Sequence, residues 1–158
     1  MKSVDSDRLN RWLTFGANVG VLIGIILLIV ELGQNRDMMK SQIRNELAIG
    51  IIDISRGIAE NSEFANVMVR ARAAESLTPT EQLQYLNAMV VLFRYWENVH
   101  YQYRMGLYDD SEFSTHKEAW RIVMNRDEPA AQIWCDRRLT FSPEFRTDMD
   151  ELLSNFSC

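Results

Sequence analysis

Histidine, cysteine and proline are scarce in this chain: its 158 residues include two histidines, two cysteines and three prolines. Each scarcity closes off a class of chemistry. A carboxylate-bridged di-metal bundle needs two Glu-x-x-His pairs and further glutamates from facing helices. Glu97 and His100 make one such pair, but the other histidine, His116, follows Glu112 by four positions rather than three. His100 therefore reads as a hydrogen-bonded aromatic at the edge of a core, and neither a metal nor a cofactor is assigned. Cys135 and Cys158 form no obvious disulfide framework, and Cys135, beside Trp134, reads as a small buried hydrophobe. A Cys–His nucleophile would need an oriented base, which spacing alone does not supply. There is no credible strand pair, and so no strand-borne nucleophile elbow, phosphate loop or dinucleotide turn. No catalytic residue is named and an enzyme is not expected. Basic charge is also lacking. The formal net charge is −5 and Arg137-Arg138 is the one adjacent pair of basic residues, which argues against nucleic acid as the main partner.

What the chain does have is a long apolar run over residues 12–30, interrupted only by Thr14 and Asn18 among its polar positions. A hydrocarbon core of roughly 30 Å needs about 20 such residues in a helix. The run is followed by Glu31-Leu32-Gly33-Gln34-Asn35 rather than by a small-x-small cleavage site, and it is longer than a usual signal-peptide core. Every face of residues 19–30 is apolar, unlike a buried soluble helix. The expectation is a retained transmembrane helix over residues 12–32, after a polar leader at 1–11 that is flexible or interfacial. Glu31 most simply marks the water boundary. Gly16, Gly20 and Gly24 recur at intervals of four, which opens a groove for another helix, and Asn18 is taken as the polar point of that interface. For orientation, Lys2, Arg8 and Arg11 balance Arg36, Lys40 and Arg44 across the run. The absence of a disulfide framework inclines the C-terminal domain to the cytoplasm.

Beyond the run, residues 33–60 read as an amphipathic juxtamembrane helix, with Met39, Ile43, Leu47, Ile51, Ile54 and Ile58 on one face. Gly33-Gln34-Asn35 either breaks or loosens the join. Residues 61–158 read as a soluble helical domain. Asn61-Ser62 caps a short helix carrying Phe64, Val67, Met68, Ala71 and Ala74. Thr78-Pro79-Thr80-Glu81 is a capping box with proline at the first helical position, and Glu128-Pro129 and Ser142-Pro143 open two later helices. Gly106 is placed to end the long helix from Pro79 in a left-handed conformation. That helix carries a broad buried face of Leu86, Met89, Val90, Phe93, Trp96 and His100, extended by Tyr103 and Leu107. The fold class expected is all-α, one N-terminal transmembrane helix followed by a small soluble helical bundle.

The runs Arg94-Tyr95-Trp96-Glu97-Asn98, Tyr101-Gln102-Tyr103-Arg104-Met105-Gly106-Leu107 and Phe141-Ser142-Pro143-Glu144-Phe145-Arg146, with Asn18-Val19-Gly20-Val21-Leu22-Ile23-Gly24 upstream, resemble a widespread group of uncharacterised small bacterial proteins. Its members have one N-terminal membrane helix and a helical remainder. The resemblance implies a bacterial inner (cell) membrane location and supplies no catalytic residues. Taken together, the expected function is helix–helix assembly in the lipid bilayer, first as a homo-oligomeric membrane scaffold with Gly16, Gly20, Gly24 and Asn18 at the packing interface. In that assembly residues 39–58 continue the contact outside the bilayer. The alternative is an accessory subunit docked on other membrane protein subunits, and behind it a pore-forming oligomer.

Overall fold

The computed structural model describes the backbone of residues 3–153 and 158, with side chains from Ser6 onward. Every assigned element among these residues is helical. The chain divides into two compact units, Met1–Ser41 and Gln42–Cys158. Helix α1 (Ser3–Ala59) begins in the first and ends in the second. Then follow α2 (Ser62–Arg72), α3 (Pro79–Arg104), α4 (Asp110–Arg126), α5 (Glu128–Arg137), a 3₁₀ turn (Arg138–Thr140) and α6 (Pro143–Leu152).

The first unit is helix throughout its described length. The expected flexible leader is helical from Ser3, and its residues 1 and 2 lie outside the described residues. Gly33-Gln34-Asn35 does not interrupt α1. The cause is cooperativity: once a long apolar helix has formed, adding a turn costs no new nucleation, and one glycine weakens it by only about 1 kcal/mol. The stretch is long and apolar enough to cross a membrane, and none of its most apolar 18 residues is buried within the chain.

The second unit owes its helix boundaries to local chemistry. The Asn61 side chain accepts from the Phe64 amide, 3.0 Å away, and starts α2. Thr78 and Glu81 exchange side-chain and backbone hydrogen bonds around Pro79, closing the capping box of α3. Gly106 has φ +69° and ends α3, with its N–H on Tyr103 O and the Leu107 N–H on Gln102 O. Ala74, expected inside the short helix, instead lies beyond its end with φ +53°. Its N–H reaches Ala71 O and the Glu75 N–H reaches Arg70 O, so the hydrogen bonding of a left-handed cap is present without the glycine that usually carries it.

Around Phe93, fully buried on α3, the aromatic rings of Trp96, Trp134 and Phe141 close to centroid distances of 5.5, 5.6 and 6.3 Å. Trp120 of α4 stacks on Trp96, and Phe145 of α6 meets Trp120 and Trp134 edge-on. Val99 and Tyr85 share the buried face of α3 with Met89, Phe93, Trp96 and His100, whereas Leu86 and Val90 are half-buried at its margin.

Two expectations are corrected here. Cys135 is not a free buried hydrophobe. It is disulfide-bonded to Cys158, with the two Cα atoms 5.1 Å apart, because the fold returns the last residue to the side of α5. The apolar face of residues 39–58 is also not left for another chain over its whole length. Leu47 belongs to the core of the second unit, with Ile43 and Ile58 packed against it. Tyr95 donates to Leu47 O at 3.1 Å, and Arg44 pairs with Glu112 at 2.8 Å.

Candidate functional site

In the first unit the candidate site is the glycine face of α1. An α-helix advances about 1.5 Å and 100° per residue, so Gly16, Gly20 and Gly24 lie at intervals of about 6 Å along a narrow stripe. A Cβ added at any of them would meet nothing within 4 Å. The stripe is therefore an open groove with no partner inside the described chain. Asn18 does not belong to it. Two residues from Gly16 and from Gly20, it is turned about 200° round the helix. It shares a surface hollow with Asp7, Asn10, Arg11, Thr14 and Phe15, which makes a polar stripe running from the N-terminal flank into the apolar run. Thr14 on that stripe donates back to Asn10 O at 2.9 Å, the usual way a helix satisfies a hydroxyl in apolar surroundings.

The second unit offers a separate concavity. An apolar groove of about 540 Å³ runs between the C-terminal part of α1, α2 and α3, with Ile54, Ile58, Phe64, Met68, Ala88 and Leu92 among its walls. The sequence pattern does not bring these residues together: it places Ile54 and Ile58 on the amphipathic juxtamembrane helix and Phe64 and Met68 on the next short helix.

Several polar side chains of this unit are engaged with one another, whereas Trp120 Nε1 and Arg138 Nε are buried without a hydrogen bond among the described residues. Asp127, buried at the start of α5, accepts the Tyr85 hydroxyl at 2.6 Å, the Ala130 amide at 3.1 Å and Arg72 Nε at 3.0 Å. Burial first, and then the hydrogen bond to Asp127 and its charge, push the Tyr85 phenol far above its ordinary range. Glu97 does not aim at a metal with His100. Its two oxygens take the Ser142 amide and Arg94, both at 2.7 Å. Burial works to raise the Glu97 carboxyl, yet these donors outweigh it and hold the group below its usual range. Arg94 also lies 4.1 Å above the Phe141 ring.

His100 Nε2 sits 3.0 Å from Asp148, whose other oxygen is 3.3 Å from Lys117 Nζ. His116 Nε2 sits 2.9 Å from the Tyr108 hydroxyl. Burial lowers both imidazoles, against the pull of Asp148 on the first and Glu112 on the second. Among the described residues no three His, Cys, Asp or Glu side chains gather as a metal site. The Asp127, Glu97 and His100 clusters tie α3 to α2, α4, α5 and α6 with its capping residue Ser142, whereas His116 holds the loop residue Tyr108 against α4. The Asp127 network was invisible to sequence reasoning because its members lie 42 and 55 positions from Asp127. Its one local signal was the Asp-Glu-Pro start of α5, whose capping residue is Asp127.

No family model matches the chain, and neither a curated protein nor a solved structure matches it.

Proposed function

We propose that this is a single-span inner-membrane protein that works by helix–helix assembly, as a homo-oligomeric scaffold whose spans pack through Gly16, Gly20 and Gly24. The observation that carries the reading is the state of α1: a helix of spanning length, apolar on every side over residues 19–30, with three open glycine positions in one stripe. Val21, Leu22, Ile26, Leu27 and Ile29 are each more than half exposed, a surface that water disfavours by about 25 cal/mol per Å² and a bilayer accepts. Within lipid the hydrophobic effect no longer drives association, so close packing at small residues takes over. The bacterial inner membrane follows from the resemblance of the sequence motifs.

The test is the mass of the intact particle purified in mild detergent, for the natural chain and for a Gly16→Leu, Gly20→Leu, Gly24→Leu variant. A discrete oligomer that falls to smaller species in the variant is expected. The same mass in both ends the reading. A single copy among other polypeptides makes the protein an accessory subunit instead.

A further inference from the structure

We infer that the second unit faces an oxidising compartment, so that α1 carries the N-terminus on the cytoplasmic side and the folded domain outside it. The inference rests on the reading of α1 as a membrane span and adds the side from which any partner must approach. The flanking charges leave orientation open. Lys2, Arg8 and Arg11 stand before the apolar run, and Arg36, Lys40 and Arg44 after it, so neither flank outweighs the other as an inside signal. The tertiary structure breaks the tie. The chain's two cysteines, 23 positions apart, are joined to each other. The pair is no Cys-x-x-Cys redox motif. One partner sits half-buried on α5 next to the fully buried Trp134, and the other is the exposed residue 158. Such a bond fastens a chain segment to a packed helix, and structural bonds of this kind persist where the thiol pool is oxidising and are rare in the cytosol.

Its formation balances as thiol–disulfide exchange. The thiolate of one cysteine attacks the disulfide of an exported protein oxidant, giving a mixed disulfide. The second thiolate then displaces the oxidant's sulfur. Cys135 and Cys158 lose two electrons and two protons in forming their S–S bond, and the oxidant's disulfide is reduced to two thiols.

The experiment uses the full chain in bacterial cells. Cells are quenched with acid, and the protein is reacted with a polyethylene-glycol maleimide before and after reduction. In parallel, alkaline phosphatase, which folds only after export, or a fluorescent protein, which fluoresces only when folded in the cytoplasm, is fused after Cys158. The expected result is no mass tag before reduction, two after it, and active phosphatase with a dark fluorescent fusion. Free thiols in the unreduced sample together with a fluorescent fusion overturn the inference. A second variant guards against a fusion that fails to export. In Cys135→Ser the exposed Cys158 is expected to react with a membrane-impermeant maleimide in unlysed spheroplasts, and reaction only after lysis counts against the inference. Membrane fractionation separates the two readings. A protein in the soluble fraction refutes the span itself, whereas a membrane-bound protein with cytoplasmic thiols refutes only its orientation.

Discussion

At the residue scale the most consequential side chain is Asp127, because one buried carboxylate serves three donors on α2, α3 and α5. Asp127→Ala leaves the Tyr85 hydroxyl buried without a partner and uncaps α5. The expected loss is about 3 kcal/mol in chemical denaturation. Arg72→Ala removes the half-exposed partner and is expected to cost under about 1 kcal/mol, as solvent screens that pair. Equal losses in the two variants would contradict this ranking. The histidines set a direction with pH. His100 and His116 are held below the ordinary 6.5 by burial, with Arg104 and Lys117 also acting against protonation of His100. Around His100 and His116, Asp148 and Glu112 oppose that effect without reversing it. The unfolded chain therefore takes up protons that the folded chain refuses, and stability falls as pH drops from about 7 to below 6. Melting temperature should decline over that interval, and the slope should shrink in His116→Gln. A melting temperature that rises on acidification would show that the imidazoles are not held neutral.

At the scale of elements, the part of α1 that lies within the second unit meets the Tyr95 ring of α3 at Gly50. A Cβ at Gly50 would lie 3.3 and 3.4 Å from two carbons of the Tyr95 ring. Tyr95 at the same time donates to Leu47 O, one turn earlier. Glycine at 50 thus accommodates a ring laid across the helix, at a propensity cost of about 1 kcal/mol. Gly50→Val adds two further methyls against that ring. It is expected to speed amide exchange in residues 43–58 by about tenfold, in line with the usual penalty for overpacking. Gly57 has nothing within 4 Å, so Gly57→Val serves as the control and should leave exchange nearly unchanged. Similar behaviour of the two variants would mean that the Tyr95 contact does not hold the segment.

At the scale of the whole molecule, the two units make different demands. The first exposes apolar surface and an open glycine stripe, the features on which the proposed span and its packing rest. The second closes an aromatic core around Phe93 and fastens its own C-terminus with a disulfide. The scaffold reading lives on the first unit and the orientation on the second. A failure of one experiment therefore leaves the other informative. Because Leu47, Ile43 and Ile58 are committed to the core of the second unit, the proposed contact between copies draws first on the glycine stripe. Substitutions there should alter particle mass without altering the thermal unfolding of the second unit.

The sequence by itself determined whatever depends on neighbours within a turn or two of helix. That covers the apolar run of spanning length, the caps at Asn61 and Thr78, the proline starts at 129 and 143, and the left-handed stop at Gly106. It also covers the buried face through Met89, Phe93, Trp96 and His100, since helical periodicity alone places those residues together. Only the tertiary structure decided what depends on distant segments meeting: the union of Cys135 with Cys158, Tyr85 and Arg72 converging on Asp127, and Glu97 taking the Ser142 amide. Spacing along a chain constrains angles within one helix, whereas these contacts depend on how separate helices pack, which no local pattern encodes.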